Sequence, residues 1–390
     1  MGEIERKPAI RFAGFTEAWE QCELAKFSKI TMGQSPDGTT YSDFPTDYIL
    51  VQGNADIQDG NVVPRIWTTQ ITKTAEPGDI IMTVRAPVGE VGKNSYNIVI
   101  GRGVCALKGN EFLYQYLIGI NESGYWKKLS AGSTFESVNS DAISSVIIKH
   151  PKVYEQNKIG RILLNIDSLI TLHQRKFEAL SNIKKALLEK MFPSNGEVTP
   201  KIRFAGFTEA WEQCKYGYFF DERDERSSEG EMISVTISSG IKRFSELNRY
   251  DSKPEDLSKY KVVKENDIAF NSMRMWQGAS GRSPYSGILS PAYTVITPKN
   301  DVSTYYFAYD LKRPKMIHQF VLNSQGLTKD TWNLKWPVFK EIETIAPLNF
   351  EEQEKIANLL LNVDNLITLH QRKCEKLKNI KKALLEKMFV

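Results

Sequence analysis

The feature that most constrains the fold is a long segment that occurs twice, at residues 157–192 and 354–389. Both copies are rich in leucine, isoleucine, lysine and glutamate, and neither contains glycine or proline after Gly160. Such a composition favours an uninterrupted α-helix. Pro151 and Pro347 stand just before the two copies, where a helix can begin. The sequence therefore predicts two long and closely similar helices.

Apolar residues recur every seven positions in both copies and form two adjacent stripes. A sustained seven-residue period of this kind is typical of a coiled-coil seam. Lys184 and Lys381 stand at equivalent positions within the second stripe. The predicted seam residues of the first stripe, taken from the middle of each copy, are Ile166, His173, Leu180, Val363, His370 and Leu377.

A second repeat marks the start of each half of the chain. The motif IRFAGFTEAWEQC occupies residues 10–22 and again residues 202–214. The parts follow one another as motif, variable region and long helix, and then the same order repeats, as if a circle had been cut open. An approximate two-fold axis relating the halves requires the two helices to run antiparallel. The predicted divisions are 1–150, 151–192, 193–200 as a linker, 201–348 and 349–390.

The two variable regions, residues 23–150 and 215–348, differ in sequence but share a rhythm. Both contain short strand-like runs broken by glycine, proline, asparagine and aspartate. In both, a strand-like run is followed by an arginine, Arg85 or Arg274, then a glycine-rich turn and further strand-like runs. We therefore predict an α+β protein: two mixed α/β domains joined by two long antiparallel coiled-coil helices in a pseudo-two-fold circular arrangement.

The loops of both variable regions carry side chains of the types that contact DNA. Arginine pairs with guanine, asparagine and glutamine pair with adenine, and serine and threonine bond to either. Each residue taken alone has an ordinary solvated or structural role as its alternative, and Trp276 has a core role as its alternative. The candidates are Gln34, Ser35, Arg85, Arg102, Ser133 and Thr134 in the first region, and Thr236, Arg243, Asn271, Arg274, Trp276, Gln277, Thr328 and Lys329 in the second.

Composition and motif content indicate a binding protein of the cytoplasm and not an enzyme. The net charge is only +4, so a nucleic-acid-binding surface must either be local or share its phosphate contacts with partner proteins. The four cysteines include no close pair, and the four histidines lack metal-ligand spacing. Phosphate-binding loops, nucleophile elbows and long apolar spans are missing from the sequence. We expect no catalytic residues, metal site, cofactor or membrane span in this chain.

The motifs resemble those of the specificity subunit of bacterial type I restriction–modification enzymes. The resemblance is carried by IRFAGFTEAWEQ at the start of each half, LITLHQRK inside each helix and KKALLEKMF at the end of each helix. The stretches TAEPGDIIMTVRAPVGEVG, NSMRMWQGASG and SPAYTVI also look like target-recognition domains of that family. Cys22 and Cys214 depart from the pattern, since a basic residue is expected there.

The resemblance implies that two target-recognition domains each bind one half of a split site in double-stranded DNA. It also implies that the helices set the spacing and bind two methyltransferase subunits, to which motor-nuclease subunits are added. The partners would carry the chemistry, adenine-N6 methylation with S-adenosylmethionine and, for the nuclease, ATP and Mg²⁺. Two other hypotheses remain: a protein scaffold that binds two identical clients and no DNA, and a stand-alone methyltransferase or nuclease.

Overall fold

The computed structural model describes residues 7–130, 137–194, 196–237, 240–247 and 256–389. The chain divides into two compact units, one formed by Met1–Arg175 with Gln371–Val390 and the other by Lys176–His370. Each unit contains one mixed α/β domain, called here the first and the second domain, together with a part of each long helix.

The first unit begins with the short elements of the first domain and continues into a long helix. Its elements are β1 (Glu20–Glu23), α1 (Leu24–Phe27), β2 (Ile30–Met32), β3 (Tyr41–Ser42), β4 (Tyr48–Val51), β5 (Ile57–Gln58), β6 (Asn61–Val62), β7 (Ile66–Thr68), β8 (Thr74–Ala75), β9 (Ile80–Thr83), β10 (Val91–Lys93), β11 (Ile98–Ile100), β12 (Val104–Leu107), α2 (Glu111–Glu122), α3 (Tyr125–Ser130), α4 (Ser140–Ser144), β13 (Ile147–His150) and α5 (Val153–Lys190).

The second domain lies between α5 and the last helix. Its elements are β14 (Glu212–Lys215), α6 (Tyr216–Phe219), β15 (Phe220–Glu222), β16 (Ile233–Thr236), β17 (Gly240–Arg243), β18 (Lys261–Val263), β19 (Ile268–Asn271), β20 (Ser280–Arg282), β21 (Gly287–Leu289), β22 (Tyr293–Pro298), α7 (Thr304–Asp310), α8 (Pro314–Asn323), α9 (Trp336–Phe339), β23 (Glu343–Ala346) and α10 (Phe350–Met388).

The two domains are built on sheets with a common strand order. The first has a six-stranded sheet of order β2-β12-β9-β10-β6-β5, and the second has a four-stranded sheet of order β15-β22-β19-β20. Neighbouring strands in the shared four-strand part are antiparallel in both. The strands that precede Arg85 and Arg274, β9 and β19, take equivalent places, which confirms the rhythm predicted from the sequence.

A second sheet and a terminal strand pair complete the first domain. The five-stranded sheet has the order β3-β7-β4-β11-β8, and β4 runs parallel to β11. Strand β1, formed by the end of the first repeated motif, pairs with β13 just before α5. Strand β14, formed by the same residues of the second motif, pairs with β23 just before α10. Each motif thus joins its domain to the start of a helix.

The two long helices run antiparallel within each unit, as predicted. In the first unit, Lys381 of α10 contacts Asp167 of α5, while Met388 of α10 packs in the cluster that contains Ile159 of α5. Residue numbers therefore increase along one helix as they decrease along the other. In the second unit, Lys184 of α5 contacts Asp364 of α10. Leu188 of α5 packs against the cluster that contains Leu360 of α10, which gives the same direction.

The predicted seam residues lie on the less exposed side of each helix. Ile166 and Val363 are buried. The four others, all half-buried, are His173, Leu180, His370 and Leu377. Burial along the helices thus follows the seven-residue period seen in the sequence.

Candidate nucleic-acid interface and helix clamps

Three predicted DNA contacts from distant parts of the sequence line one open pocket of the first domain. Ser35 follows β2, Arg85 follows β9, and Arg102 precedes β12. Because β2, β12 and β9 are antiparallel neighbours, the loops at these three strand ends meet at the same edge of the sheet. Both arginines are exposed and Ser35 is half-buried. The sheet thus places two guanidinium groups and a hydroxyl around a single opening.

Two glycines allow the turn that carries Arg102 to pack closely against its neighbours. A Cβ atom on Gly33 would lie 2.1 Å from the carbonyl oxygen of Gly101. A Cβ atom on Gly103 would lie 2.0 Å from the carbonyl oxygen of Gln52. No side chain fits at either distance, so the backbones meet only because both positions are glycine. The base of the pocket is therefore built from packed main chain.

The two arginines of the pocket are held in different ways. The backbone N–H of Arg102 donates to Ser35 Oγ at 3.1 Å, and its side-chain Nε donates to the same oxygen at 3.4 Å. Arg85 forms an antiparallel backbone bridge with Ser137 instead. Ser35 thus orients the side chain of Arg102, whereas the backbone of Arg85 is fixed and its side chain extends from the strand end.

Two polar residues that sequence reasoning missed, Gln52 and Asn54, line the same pocket. They belong to the turn after β4, which is shaped by the buried carboxylate of Asp56. Asp56 Oδ2 accepts the backbone N–H of Gln52 at 2.7 Å and that of Gly53 at 3.2 Å. The sequence signal was the apolar run YILV followed by Gln, Gly and Asn, a strand end with amide side chains.

Of the remaining candidates of the first domain, Gln34 is the one that the structure describes. The side chain of Gln34 is exposed, while its backbone N–H donates to the carbonyl oxygen of Ile100 at 2.8 Å. The carbonyl oxygen of Gln34 accepts the hydroxyl of Thr72 at 2.5 Å. Ser133 and Thr134 lie outside the described residues.

In the second domain, a tight turn after β19 carries four of the candidates. Asn271 Oδ1 accepts the backbone N–H of Met273 at 3.0 Å, and Trp276 Nε1 donates to the carbonyl oxygen of Met273 at 3.0 Å. Arg274 is exposed, whereas Trp276 and Gln277 are half-buried. Arg274 thus projects from a turn that Asn271 and Trp276 stabilise.

A neighbouring loop brings Thr328 and Lys329, both exposed, towards the same turn. Residues 325–333 form a hairpin-like loop, closed by two backbone hydrogen bonds between Gln325 and Asn333 at 3.0 and 2.8 Å. Trp332 of this loop packs edge-on against Trp276, with ring centroids 5.5 Å apart. Sequence reasoning missed Trp332, although the stretch TWNLKW pointed to an aromatic-rich turn.

The last two candidates lie on the β16–β17 hairpin, and their side chains are already bonded within the protein. Arg243 Nε lies 3.3 Å from Glu231 Oε2, and its guanidinium lies 4.7 Å from the centre of the Tyr285 ring. Thr236 Oγ1 donates to the carbonyl oxygen of Gly240 at 3.1 Å. The charge of Arg243 is therefore compensated locally, whereas Arg274 forms no ion pair with the residues that the structure describes.

The first copy of the repeated motif forms what we call the first clamp: Ile10, Arg11, Glu155 and Lys387. Arg11 donates through Nε and Nη2 to both carboxylate oxygens of Glu155, each at 2.7 Å. Glu155 lies in the first turn of α5 and its side chain is 2% exposed. The backbone N–H of Ile10 donates to the carbonyl oxygen of Lys387, at the end of α10, at 2.9 Å. The hydrogen bond with Glu155 raises the pKa of Arg11.

The second copy forms the second clamp: Ile202, Arg203, Glu352 and Lys190. Arg203 donates to the two carboxylate oxygens of Glu352 at 2.6 and 2.8 Å. Ile202 donates its backbone N–H to the carbonyl oxygen of Lys190, at the end of α5, at 2.9 Å. Each clamp therefore joins the start of one long helix to the end of the other. The isoleucine and the arginine at the start of the thirteen-residue motif thus have the same structural role in both copies.

Both long helices also expose leucines at equivalent positions. Leu169 and Leu172 of α5 are 44% and 45% exposed, and Leu366 and Leu369 of α10 are 44% and 43% exposed. Residues three apart lie on the same helical face. Each unit thus carries an apolar patch on its helix, formed by the LITL part of the repeated segment.

In the part of the chain that the structure describes, the His, Cys, Asp and Glu side chains form no group of three or more that could hold a metal ion. None of the helices in these residues is both long enough and apolar enough to cross a membrane.

The chain is similar to known proteins over most of its length. The family model for the type I restriction modification DNA specificity domain matches twice, at residues 16–182 and 214–379. A putative type I restriction enzyme MjaX specificity subunit of Methanocaldococcus jannaschii is 32% identical over 197 residues, which cover 48% of this chain and 44% of that relative. The MjaVIII specificity subunit of the same organism is 23% identical over 95% of this chain and 91% of that relative.

A solved structure shares the fold of the whole chain. The crystal structure of the S subunit of a type I restriction–modification system from M. genitalium aligns with a TM-score of 0.66 at 14% identity. The alignment covers 98% of this chain and 99% of that one. Each match of the family model spans one domain and most of the long helix that follows it. This chain belongs to the family of type I restriction–modification specificity subunits and contains two copies of the DNA specificity domain.

Proposed function

We propose that the chain recognises a split site in duplex DNA, with each domain binding one half, and that it catalyses no reaction itself. The observation that carries the proposal is the pocket of the first domain. Its polar lining comes from Ser35, Gln52, Asn54, Arg85 and Arg102. A guanidinium group pairs with guanine O6 and N7, and a side-chain amide pairs with adenine N6 and N7. The pocket thus offers both kinds of base contact from a rigid sheet edge.

The second domain supports recognition of a different half-site. Its exposed turn and loop present Arg274, Thr328 and Lys329 beside the paired rings of Trp276 and Trp332. One guanidinium and one ammonium group replace two guanidinium groups, and the turn adds the carboxamide of Gln277 where the first domain has those of Gln52 and Asn54. Two unlike surfaces on equivalent sheets fit a DNA site with unlike halves.

The helices are proposed to bind two copies of one methyltransferase partner. The exposed pairs Leu169–Leu172 and Leu366–Leu369 lie in identical stretches of sequence, as two identical partners require. Apolar side chains exposed in this way are typical of protein interaction surfaces. Motor-nuclease subunits would then complete the assembly. S-adenosylmethionine, ATP and Mg²⁺ are proposed to bind to those partners and not to this chain.

The proposal is tested by selecting DNA from a random duplex library with the purified complex of this chain and its methyltransferase partner. The selected DNA should contain two unlike half-sites at a fixed separation. The substitution Arg85→Ala should relax one half-site only. Lys26→Ala removes an exposed charge from the same domain and should leave the selected sequence unchanged. Equal selection by the methyltransferase alone would reject the proposal and favour the scaffold hypothesis.

A further inference from the structure

The two lysines that interrupt the apolar seam each form an ion pair across it. Lys381 Nζ lies 2.7 Å from Asp167 Oδ1, with the side chains 15% and 29% exposed. Lys184 Nζ lies 2.7 Å from Asp364 Oδ1, with the side chains 30% and 32% exposed. The aspartates stand at equivalent positions of the two copies, and so do the lysines. The chain therefore forms the same interhelical ion pair twice, once in each unit.

Each aspartate also binds the domain of its own unit through its second oxygen. Asp167 Oδ2 accepts a hydrogen bond from Gln115 Nε2 of α2 at 2.7 Å. We call Asp167, Lys381 and Gln115 the first register pin. The first pin therefore joins α5, α10 and the first domain at one carboxylate.

The second unit repeats this arrangement with a different donor. Asp364 Oδ2 accepts a hydrogen bond from the hydroxyl of Tyr309, in α7, at 2.8 Å. Asp364, Lys184 and Tyr309 are the second register pin. The helical members of the two pins are identical, whereas an amide donates from one domain and a phenol from the other. The helices that follow the equivalent strands β12 and β22 thus reach the same carboxylate position through different donors.

Apolar packing alone does not fix the position of one helix along another. Contacts between leucines are non-directional, so a seam of repeated apolar residues has neighbouring registers of similar energy. A polar side chain at a single seam position selects one register because a shifted helix leaves that group without its partner. The pins meet this requirement in both units, and each also fixes a domain to the same point.

We propose that the two register pins set the gap between the half-sites by holding each domain at one position along both helices. The inference rests on the proposed function, in which the helices separate two DNA-binding domains. A shift by one helical turn moves a domain by ~5.4 Å along the helix. Successive base pairs are ~3.4 Å apart along the duplex. A slip of one turn therefore exceeds one base pair.

The test uses the full chain, expressed with its methyltransferase partner, and maps methylated adenines in genomic DNA. The main variant combines Asp167→Ala with Asp364→Ala. Methylation at sites with a gap one or two base pairs shorter or longer should rise about tenfold relative to the cognate gap, because a slip of one turn spans about 1.6 base-pair steps and only the clamps and apolar contacts then oppose it. Both half-site sequences should stay unchanged, since no residue of either pin lines the DNA-binding pocket. The control is Glu351→Ala, which removes an exposed ion pair with Lys355 inside α10.

A charge-exchanged variant separates register from stability. It combines Asp167→Lys with Lys381→Asp, and Asp364→Lys with Lys184→Asp. Both ion pairs are kept with opposite polarity, and the amide of Gln115 and the hydroxyl of Tyr309 can accept as well as donate. The cognate gap should return in this variant.

The possible results distinguish a failure of the register pins from a failure of the proposed function. If the alanine variant assembles and methylates more slowly but at the cognate gap alone, the pins are merely structural and the inference is wrong. If that variant does not fold, Asp167→Asn with Asp364→Asn, which removes the charge and keeps one acceptor oxygen at each position, is judged by the same criterion. If the unaltered chain directs methylation to no two-part site, the proposed function fails, whatever the pins do.

Discussion

The first and second domains share a sheet but differ in the surface at its edge. In both, an arginine follows the equivalent strand, β9 or β19, and precedes a tight turn. The first domain surrounds Arg85 with a second arginine and two amides on closely packed glycine turns. The second domain surrounds Arg274 with an exposed loop supported by two tryptophans. The sheet thus fixes where the contacts lie, and the loops determine their chemistry.

The two helix clamps are nearly identical, whereas the surfaces at the sheet edges of the two domains differ. Arg11–Glu155 and Arg203–Glu352 have nearly the same bidentate geometry, and the two arginines stand in stretches of identical sequence. A buried carboxylate requires a specific partner, whereas an exposed loop residue does not. The difference explains how one chain can repeat its framework without change and still present two unlike surfaces.

The largest effect is expected when one of the two surfaces is replaced altogether. Exchange of residues 23–150 for the matching region of a relative with another specificity should abolish recognition of one half-site and create a new one. The other half-site and the gap should not change, because the second domain and the helices are untouched. Mapping of methylated adenines measures all three. A change in both half-sites would show that the domains are not independent.

Removal of an ion pair from a clamp should cause a large loss of unfolding free energy. Arg11→Ala leaves the carboxylate of Glu155, which is 2% exposed, without its guanidinium partner. The expected loss is about 3–5 kcal/mol of unfolding free energy. Denaturant unfolding of the purified chain measures it. Lys152→Ala breaks an exposed ion pair with Glu17 and serves as the control, with no measurable loss expected. Equal stability of the two variants would contradict the role of the clamp.

A smaller effect should distinguish two arginines of the second domain. Arg274 is exposed and forms no ion pair with the described residues, whereas Arg243 is paired with Glu231. If Arg274 contacts guanine, Arg274→Ala should weaken binding by ~1–3 kcal/mol and relax one base position. Arg243→Ala should change the sequence preference little. Binding titrations with the selected site and single-base variants measure both. Unchanged affinity and preference in Arg274→Ala would remove that residue from the DNA-binding surface.

The smallest effect concerns the tryptophan of each repeated motif. Trp211 Nε1 donates to Glu352 Oε1 at 3.2 Å, whereas Trp19 Nε1 has no hydrogen-bond partner among the described residues. Both side chains are buried, so Trp→Phe removes the same volume at each site. Trp211→Phe should therefore destabilise by ~1.5 kcal/mol more than Trp19→Phe, the energy of a hydrogen bond to a charged group. Equal losses in denaturant unfolding would show that this bond contributes nothing.

The helical framework could be predicted from the sequence because its signals are local. A seven-residue period over a long run without proline specifies a helix and its buried face. The position of Lys184 and Lys381 in the seam was visible too. Their partners, Asp167 and Asp364, could have been found by folding the two helices against each other in antiparallel order.

The composition of the DNA-binding pocket could be predicted only in part. Ser35, Arg85 and Arg102 were identified because each follows or precedes a strand-like run. Gln52 was missed because it reaches the pocket through the parallel pairing of β4 with β11, two strands that are far apart in the sequence. Trp332 depends in the same way on the closure of a loop. Sheet order and loop closure depend on non-local contacts, which single-sequence patterns do not specify.

The central claim is that one framework, repeated twice, presents two different DNA-binding surfaces. The most direct measurement is the map of methylated adenines in cells that express this chain with its methyltransferase partner, compared with cells that express the partner alone. The account predicts a single motif with two unlike halves and a fixed gap, present only when the chain is expressed. A palindromic motif, a continuous motif or a pattern independent of the chain would contradict it.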